Sequence, residues 1–413
     1  MAENKARLSL TAQILIGLAL GVAVGWYYGK ATAPLGEIGT LVIQAIKVAA
    51  APLLLLAIVN AVLTTEVNAR SGLRMIVLAT TNATIALVLG LALSNFFKPG
   101  RHLGSVVAPA GPAITTQKLD AMKVIGGFVP TSLVQPFAEN AILPIVGMAL
   151  LLGFALRRLK DTGEDVSGLE RGFLQLQRAA ETILGWIIRF APLAVFGVVA
   201  KAVGTYGFEP LKGLAWYLGV GLLGLVLHPL LTYQLWLVLW VRLSLARFWR
   251  GAHEPMVYAM GANSSLATLP LTLKALDRLG VSRASSTLGA CVGTNLNNDG
   301  IILYEAMAVL FVAQAHGLDL TLGQQVVAAF SCLVAAVGIA GIPEAGFISL
   351  GLVLATVGLP VELLPLLLTV DWIIARGRSV VNVLSDMMVS ILLDRWDGRR
   401  FDAPPVAAVA AQA

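Results

Sequence analysis

The chain has 413 residues, of which 57% are hydrophobic and 13% are charged, and its formal net charge is +6. Soluble domains carry about 25% charged residues, so this composition excludes an ordinary soluble protein. Residues 8–29, 75–97 and 213–241 contain no Asp, Glu, Lys or Arg. Because a bilayer-spanning helix needs about 20 apolar residues, these stretches predict an all-α polytopic membrane protein.

The first half of the chain predicts six membrane spans. We place them near residues 9–29, 38–64, 74–97, 131–159, 180–205 and 211–243. A charged cytoplasmic linker is expected over 161–171. Lys and Arg concentrate at alternate span ends, as in the group Arg157, Arg158 and Lys160. The positive-inside rule then puts both termini in the cytoplasm, and the basic charge indicates membrane topology rather than a nucleic-acid surface.

The second half of the chain changes character. Residues 254–280 and 321–360 are apolar but interrupted by small residues and by a proline, Pro270 in the first and Pro343 in the second. Each interrupted stretch is followed by a helix that carries an unexpected polar cluster. Paired interruptions of this kind are typical of inverted-repeat transporters, in which broken backbone lines a site near the bilayer midplane. We therefore predict two re-entrant hairpins, each followed by one further span.

The first polar cluster is "NLNNDG", residues 295–300. A surface loop is the alternative interpretation, but the apolar run resumes at Ile301. An aspartate such as Asp299 costs roughly 2.5–3.5 kcal/mol to insert at a helix centre, so a buried cluster needs a function. Gly293 and Gly300 bracket it and allow the helix to unwind. Oxygen atoms without soft sulfur or nitrogen donors suit a small alkali cation, and we predict a cation site.

The second polar cluster lies on the last span. Arg378, Asn382 and Asp386 are spaced four residues apart, so they share one helix face, which Asp371 joins seven residues earlier. One interpretation is a salt-bridge network that only holds helices together, and it remains open for Asp371. An arginine fork is well suited to a ligand carboxylate, so we predict that Arg378 binds substrate.

Other polar residues in apolar surroundings admit two interpretations each. Ser264, Ser265 and Thr268 lie at the break of the first hairpin, where they either contact a ligand or bond back to their own helix; we favour ligand contact. Glu305 is a candidate for titration. His228, beside Pro229, is expected to be a hydrogen-bonded structural residue, although a proton relay is the alternative.

Four motifs carry a family resemblance. "SSLATLP", "NNDGIILYEAMAVLFVAQ", "GIAGIPEAG" and "DWIIARGRSVVNVLSD" occur in this order, and the similarity extends over nearly the whole chain. In these motifs the chain resembles the glutamate transporter family, the dicarboxylate/amino acid:cation symporters. The resemblance implies eight spans plus two re-entrant hairpins, a homotrimer in the inner (plasma) membrane and an elevator mechanism in which the second hairpin is the gate.

The resemblance also implies a division into domains. The expected parts are scaffold helices over 1–70, helix three of the transport domain over 71–100, an extracellular loop over 101–130, scaffold helices over 131–205, the rest of the transport domain over 206–396, and a disordered cytoplasmic tail over 397–413.

Family roles transfer to matching positions. The resemblance implies sodium ligands at Gly293, Asn297, Asp299, Asn382 and Asp386. It implies substrate-binding residues at Ser264, Ser265, Gly341, Arg376, Arg378, Ser379 and Asn382. Glu305 matches the carboxylate that carries the proton in proton-coupled members.

Departures from the family pattern bear on substrate and cation. Amino-acid carriers place an aspartate three residues before the key arginine, and here that residue is Ala375; Ile301 replaces an expected threonine. A C4-dicarboxylate is therefore favoured over glutamate or aspartate, which remains the alternative. At the positions of Ala79 and Ala83, family members have side chains that bind a third sodium ion. We therefore expect transport to be driven by fewer sodium ions, or by protons.

Two other classes of function compete with a symporter. A membrane enzyme would need a nucleophile, a base and often a metal set facing a cavity, and the sequence shows no such spacing. An anion channel is expected only as a side activity. The predicted partners are a small anionic substrate and the bilayer, with no nucleic acid.

Overall fold

The computed structural model describes residues 10–64, 69–106, 132–139, 141–338 and 345–401. Every regular element in these ranges is a helix, in agreement with the predicted all-α class. By length and composition, Ala12–Val42, Arg70–Phe97 and Glu209–Val241 are able to cross a membrane, and the bent pair Ser167–Ile188 and Ala191–Tyr206 would provide a fourth crossing. The predicted extracellular loop beyond residue 106 and the predicted tail beyond residue 401 lie outside the described residues.

The described residues of the first half form seven α-helices and two 3₁₀ segments. The α-helices are α1 (Leu10–Tyr28), α2 (Gly36–Thr64), α3 (Ala69–Phe97), α4 (Gln135–Glu139), α5 (Ile142–Asp161), α6 (Ser167–Ile188) and α7 (Ala191–Tyr206). The 3₁₀ segments are Gly29–Leu35 and Pro99–Val106.

Helix α1 packs closely against α7 through small residues. A Cβ atom at Gly17, Gly21 or Gly25 would lie 2.5–2.8 Å from carbonyl oxygens of α7, so a larger side chain does not fit. These glycines recur every four residues, which is the spacing that lets membrane helices approach each other through van der Waals contact. The glycine stripe therefore fixes the packing of the first helix.

Two predicted boundaries in this half are wrong. The span predicted over 180–205 is two helices bent by 41°, and α6 begins at Ser167, inside the predicted linker. Pro192, near the start of α7, lacks the N–H that would continue α6 into α7. The span predicted over 131–159 begins at Ile142.

The span predicted over 211–243 is α8 (Glu209–His228), followed by wider π-helical turns at Pro229–Tyr233 and Trp236–Val241. Pro229 has no N–H for an α-helical bond, and π-bulges of this kind often occur at functional sites. The segment ends at Arg242, which adopts a left-handed backbone conformation.

The first interrupted stretch forms α9 (Leu245–Ala262) and α10 (Ser265–Leu279). The break lies at Asn263, whose φ of 52° is left-handed, and at Ser264, whose side chain caps α10. The break lies beside Ser264 and Ser265, as predicted, whereas Pro270, which was also expected at the break, lies within α10. Asparagine tolerates the left-handed conformation better than most residues, which explains why the chain turns at Asn263.

The remaining helices surround the predicted site. They are α11 (Arg283–Ser286), a π-helical turn at Thr287–Val292, a 3₁₀ turn at Gly293–Asn295, α12 (Asp299–Ala315), α13 (Leu322–Gly338), α14 (Ala345–Thr356) and α15 (Leu364–Trp396). Pro343 and Gly341 fall between α13 and α14, outside the described residues. Helix α12 is buried along its whole length. It packs so closely on α15 that a Cβ at Gly300 would lie 2.6 Å from the carbonyl oxygen of Arg378.

Candidate substrate and cation site

Asp299 is the first residue of α12 and is fully buried. Its Oδ2 accepts three hydrogen bonds, from the Tyr233 hydroxyl at 2.6 Å, from Ser385 Oγ at 2.9 Å and from His228 Nε2 at 3.1 Å. Its Oδ1 has no hydrogen-bond partner among the described residues. The polar cluster is therefore buried, as predicted, and the surface-loop interpretation is wrong.

Asn297 and Asp386 meet beside Asp299. Asn297 Nδ2 donates to Asp386 Oδ1 at 3.0 Å and to the carbonyl oxygen of Gly289 at 2.8 Å. Thr294 Oγ1 donates to Asp386 Oδ2 at 3.2 Å. Asn297 Oδ1, like Asp299 Oδ1, is a buried acceptor with no partner in the described part of the chain. The break before α12 thus brings three of the predicted cation ligands together.

The remaining predicted cation ligands are placed differently. Asn382 Oδ1 accepts the backbone N–H of Gly300 at 2.9 Å, and its Nδ2 donates to Asn298 Oδ1 at 3.2 Å. The carbonyl oxygen of Gly293 accepts the backbone N–H groups of Leu296 and Asn297. Both lone pairs of this carbonyl oxygen already accept hydrogen bonds. Gly293 is therefore less suited to bind a cation than the unpaired side-chain oxygens Asn297 Oδ1 and Asp299 Oδ1.

Arg378 is buried and forms a two-pronged ion pair with Asp371. Nη1 and Nη2 lie 2.9 and 3.0 Å from the two carboxylate oxygens. The guanidinium also lies 4.1 Å above the ring centroid of Tyr304, a distance at which a cation–π attraction operates. A Cβ on Gly346 of α14 would meet Arg378 Nη1 at 2.8 Å. Asp371 thus forms a salt bridge within α15 that orients the predicted substrate residue, and this pair does not itself join two helices.

Arg376 points to a different side of α15. It donates to the carbonyl oxygen of Trp372 and borders a cavity of about 200 Å³. Asp371, Trp372 and Asn263 also line this cavity, together with residues of α1. Ser379 Oγ donates to Asn263 Oδ1 at 3.3 Å, which ties the first hairpin to α15. The volume suits a small metabolite better than a drug-sized ligand, whose pockets measure about 300–1,000 Å³.

Ser264 and Thr268 of the first hairpin form hydrogen bonds within their own segment. Ser264 Oγ accepts the backbone N–H of Ala267 at 3.1 Å, and Thr268 Oγ1 donates to the carbonyl oxygen of Ser264 at 2.8 Å. Both contacts follow the back-bonding alternative. Ser265 is half-buried. Gly341 lies outside the described residues.

Glu305 is fully buried two turns into α12. One carboxylate oxygen accepts a hydrogen bond from the Ser349 hydroxyl on α14, and the buried thiol of Cys332 also lies beside the carboxylate. Neither Lys nor Arg forms an ion pair with Glu305 in the described ranges. A buried carboxylate without a countercharge is costly, and a bound proton removes that cost.

The buried charges do not balance. In the described ranges the buried carboxylates are Asp299, Glu305, Asp371, Asp386 and Asp394. Arg378 is the one Lys or Arg that is buried there, and Asp371 neutralises it. Asp299 and Asp386 therefore share a site with unpaired amide and carboxylate oxygens and without a Lys or Arg. That donor set fits an alkali cation, because such ions take oxygen ligands.

A transition metal fits less well. The described residues contain no group of three or more His, Cys, Asp and Glu side chains placed to hold one.

Sequence reasoning missed several contacts of this site. Tyr233 and Ser385 were not singled out, and His228 was interpreted as structural without a partner being named. The signal for Tyr233 and His228 was Pro229, because the π-helical turn that begins there brings the two side chains to one carboxylate. No comparable signal marks Ser385.

Comparison with known proteins gives a consistent result. Residues 10–396 match the profile of the sodium:dicarboxylate symporter family. The chain is 30% identical to a C4-dicarboxylate transport protein of Deinococcus radiodurans, over 94% of this chain and 89% of the relative. It is 28% identical to a C4-dicarboxylate transport protein of Bacillus subtilis, over 97% and 96% of the two chains. It is also 26% identical to the proton/sodium-glutamate symport protein of that organism, over 96% and 94%.

Proposed function

The chain belongs to the sodium:dicarboxylate symporter family, and on that premise we propose that it imports a C4-dicarboxylate by symport with sodium, protons or both. The observation that carries this proposal is the buried site itself. One oriented guanidinium, Arg378, adjoins carboxylate and amide oxygens that lack a Lys or Arg partner. Such a site suits the joint binding of an anion and a cation.

Arg378 is proposed to hold one substrate carboxylate. A guanidinium has five N–H donors, and Asp371 takes two of them. An incoming substrate carboxylate would either share the guanidinium with Asp371 or displace Asp371 from it. Either arrangement preserves the planar bidentate geometry that arginine favours. Arg376, on the cavity with Asn263, is proposed to attract the second carboxylate.

Ala375 favours a substrate without an amino group. This residue is buried on α15, three positions before Arg378, and its methyl side chain offers no charge to an ammonium. A buried ammonium without a hydrogen-bonding anion would be costly to desolvate. The names of the two C4-dicarboxylate relatives support the same choice.

Cation coupling is proposed at two places. Asn297, Asp299 and Asp386, with Asn382 one helical turn away, would hold sodium through side-chain oxygens. Glu305 would carry a proton, because it is buried between α12 and α14 without a paired cation. The glutamate relative, named a proton/sodium symport protein, supports either ion.

The family also supports a mechanical proposal. The chain would form a homotrimer in the plasma membrane with both termini in the cytoplasm. Helices α1, α2 and α5 to α7 would form the scaffold, and α3 with α8 to α15 would form the moving transport domain. The helix pair α13 and α14 would act as the gate of an elevator.

An acidic amino acid is the second candidate substrate. Asp371 lines the cavity beside Arg376, and its carboxylate is able to meet a substrate ammonium if Arg378 turns to the substrate. The glutamate relative is consistent with this alternative.

A ligand screen distinguishes the two candidates. Purified protein is melted with succinate, fumarate, malate, aspartate or glutamate, each in sodium and in choline at two pH values. A ligand that binds only the folded state raises the melting temperature. We expect sodium-dependent stabilisation by the dicarboxylates and none by aspartate. Stabilisation by aspartate would instead support the amino-acid alternative, and no response to any acid would contradict both.

A further inference from the structure

The carboxylate of Asp299 is held asymmetrically. All three of its hydrogen bonds fall on Oδ2, whereas Oδ1 is buried and has no partner among the described residues. The three donors come from different positions in the fold. His228 ends α8, Tyr233 ends the π-helical turn that follows, and Ser385 lies on α15.

We propose that His228, Tyr233 and Ser385, here called the Oδ2 triad, are positioning residues that orient Oδ1 of Asp299 toward the coupling cation. A carboxylate is planar, so three donors that converge on one oxygen fix the plane of the group and the position of the second oxygen. This inference rests on the proposed sodium coupling and adds a role for residues that do not themselves contact the ion.

The imidazole of His228 has a defined orientation. An ionised carboxylate only accepts hydrogen bonds, so Nε2 of His228 carries the hydrogen that is donated to Asp299. Nδ1 lies 3.2 Å from the Thr232 hydroxyl, which gives the ring a second polar contact. The ring also packs edge-on against Tyr233, with centroids 4.9 Å apart. These contacts hold the Nε2–H donor in place.

The local backbone explains why these donors meet. Pro229 cannot supply an α-helical N–H, and the chain continues in π-helical turns from Pro229 to Tyr233. His228 and Tyr233 are five residues apart, and an α-helix would place them on different faces. The wider turn lets both side chains reach the same oxygen atom. The change from α-helical to π-helical geometry therefore allows both side chains to hydrogen-bond to the Asp299 carboxylate.

The alternative is a purely structural clamp between α8, α12 and α15. Both roles predict that loss of a donor lowers the stability of the protein. They differ in cation affinity, because only a positioning role makes the affinity for sodium depend on the triad.

The test is a sodium titration of purified full-length protein without substrate, at constant ionic strength maintained with choline chloride. The melting temperature at each sodium concentration gives the half-saturating concentration. The variants are Tyr233→Phe, which removes only the hydroxyl, and His228→Leu. Tyr217→Phe is the matched control, because Tyr217 is a fully buried tyrosine of α8 whose hydroxyl is not among the donors to Asp299.

We expect Tyr233→Phe and His228→Leu each to raise the half-saturating sodium concentration by about tenfold, which corresponds to the loss of one hydrogen bond to a charged group. His228→Gln restores an N–H donor and should recover most of the affinity. Tyr217→Phe should leave it within about twofold of the wild type.

Three results would overturn the proposal. Unchanged sodium affinity in Tyr233→Phe and His228→Leu, with a lower melting temperature in choline alone, would show a structural clamp. Equal losses in the variants and in Tyr217→Phe would show a nonspecific effect of the substitutions. A wild-type protein that no sodium concentration stabilises would instead refute the sodium part of the proposed function, and this inference with it.

Discussion

Arg378 and Asp371 lie seven residues apart on α15 and are joined by hydrogen bonds of 2.9 and 3.0 Å. This pair neutralises the one buried arginine of the described ranges and holds its fork in a fixed plane. The remaining buried carboxylates near it, Asp299, Asp386 and Glu305, have no Lys or Arg partner there. Charge balance in the site then depends on ions that arrive with the substrate.

The first prediction concerns this ion pair. Arg378→Ala should abolish dicarboxylate uptake and leave an unpaired buried Asp371, so the protein should also lose roughly 3–5 kcal/mol of stability. Arg378→Ala with Asp371→Asn should recover most of the stability but none of the uptake. Uptake of a radiolabelled dicarboxylate and melting of the purified protein measure the two effects. Retained uptake with normal affinity in Arg378→Ala would exclude the proposed ligand role.

The second prediction concerns the cation site. Asp386→Asn removes the negative charge that accepts hydrogen bonds from Asn297 and Thr294. The sodium concentration that half-saturates uptake should therefore rise by at least about tenfold. Asp394→Asn, two turns further along α15, is the control, since Asp394 is buried against Ser282 rather than in the site. An unchanged sodium response in Asp386→Asn would remove this residue from the cation site.

The third prediction concerns proton coupling. Glu305→Gln keeps the shape of a protonated carboxyl but cannot release a proton. If Glu305 must be protonated for inward transport, wild-type uptake rises as the external pH falls, and the variant is insensitive to pH. Uptake measured from pH 5 to 8 at fixed sodium tests this. A variant with the same pH profile as the wild type would show that Glu305 does not carry the proton.

The fourth prediction concerns the packing of α12 on α15. Gly300→Ala would place a methyl group 2.6 Å from the carbonyl oxygen of Arg378 and 3.0 Å from Oδ1 of Asn382. Both helices are buried, so we expect a loss of about 1–3 kcal/mol of stability and a marked loss of uptake. Gly219→Ala is the matched control, because nothing lies within 4 Å of the added methyl. Equal stability of the two variants would contradict the close approach.

Part of this architecture was predictable from the sequence. The uncompensated polar residues Asn297 and Asp299 in an apolar run predicted a buried cluster. The four-residue spacing of Arg378, Asn382 and Asp386 predicted a shared face. Both predictions follow from periodicity and from the cost of burying charge, which local sequence reveals.

Other features depend on partners that are distant in the sequence. The donors to Asp299 come from residues 66 to 86 positions away, and no local pattern pairs Ser385 with it. The break of the first hairpin was predicted at Ser264, Ser265 and Pro270, and the chain turns at Asn263 and Ser264 because asparagine tolerates the left-handed conformation. Pro270 lies within α10 and does not mark the break. The bend between α6 and α7 lies inside the span predicted over 180–205, where Arg189 and Pro192 interrupt the apolar residues.

The central claim is that a dicarboxylate and a cation cross the membrane together. Purified protein in liposomes, with labelled succinate outside and an inward sodium gradient imposed at equal pH, tests this most directly. The account predicts that succinate accumulates inside the liposomes above its external concentration. When choline replaces sodium on both sides, this accumulation should disappear unless an inward proton gradient is supplied. Equilibration without accumulation under either gradient would show a channel or a uniporter and would contradict the account.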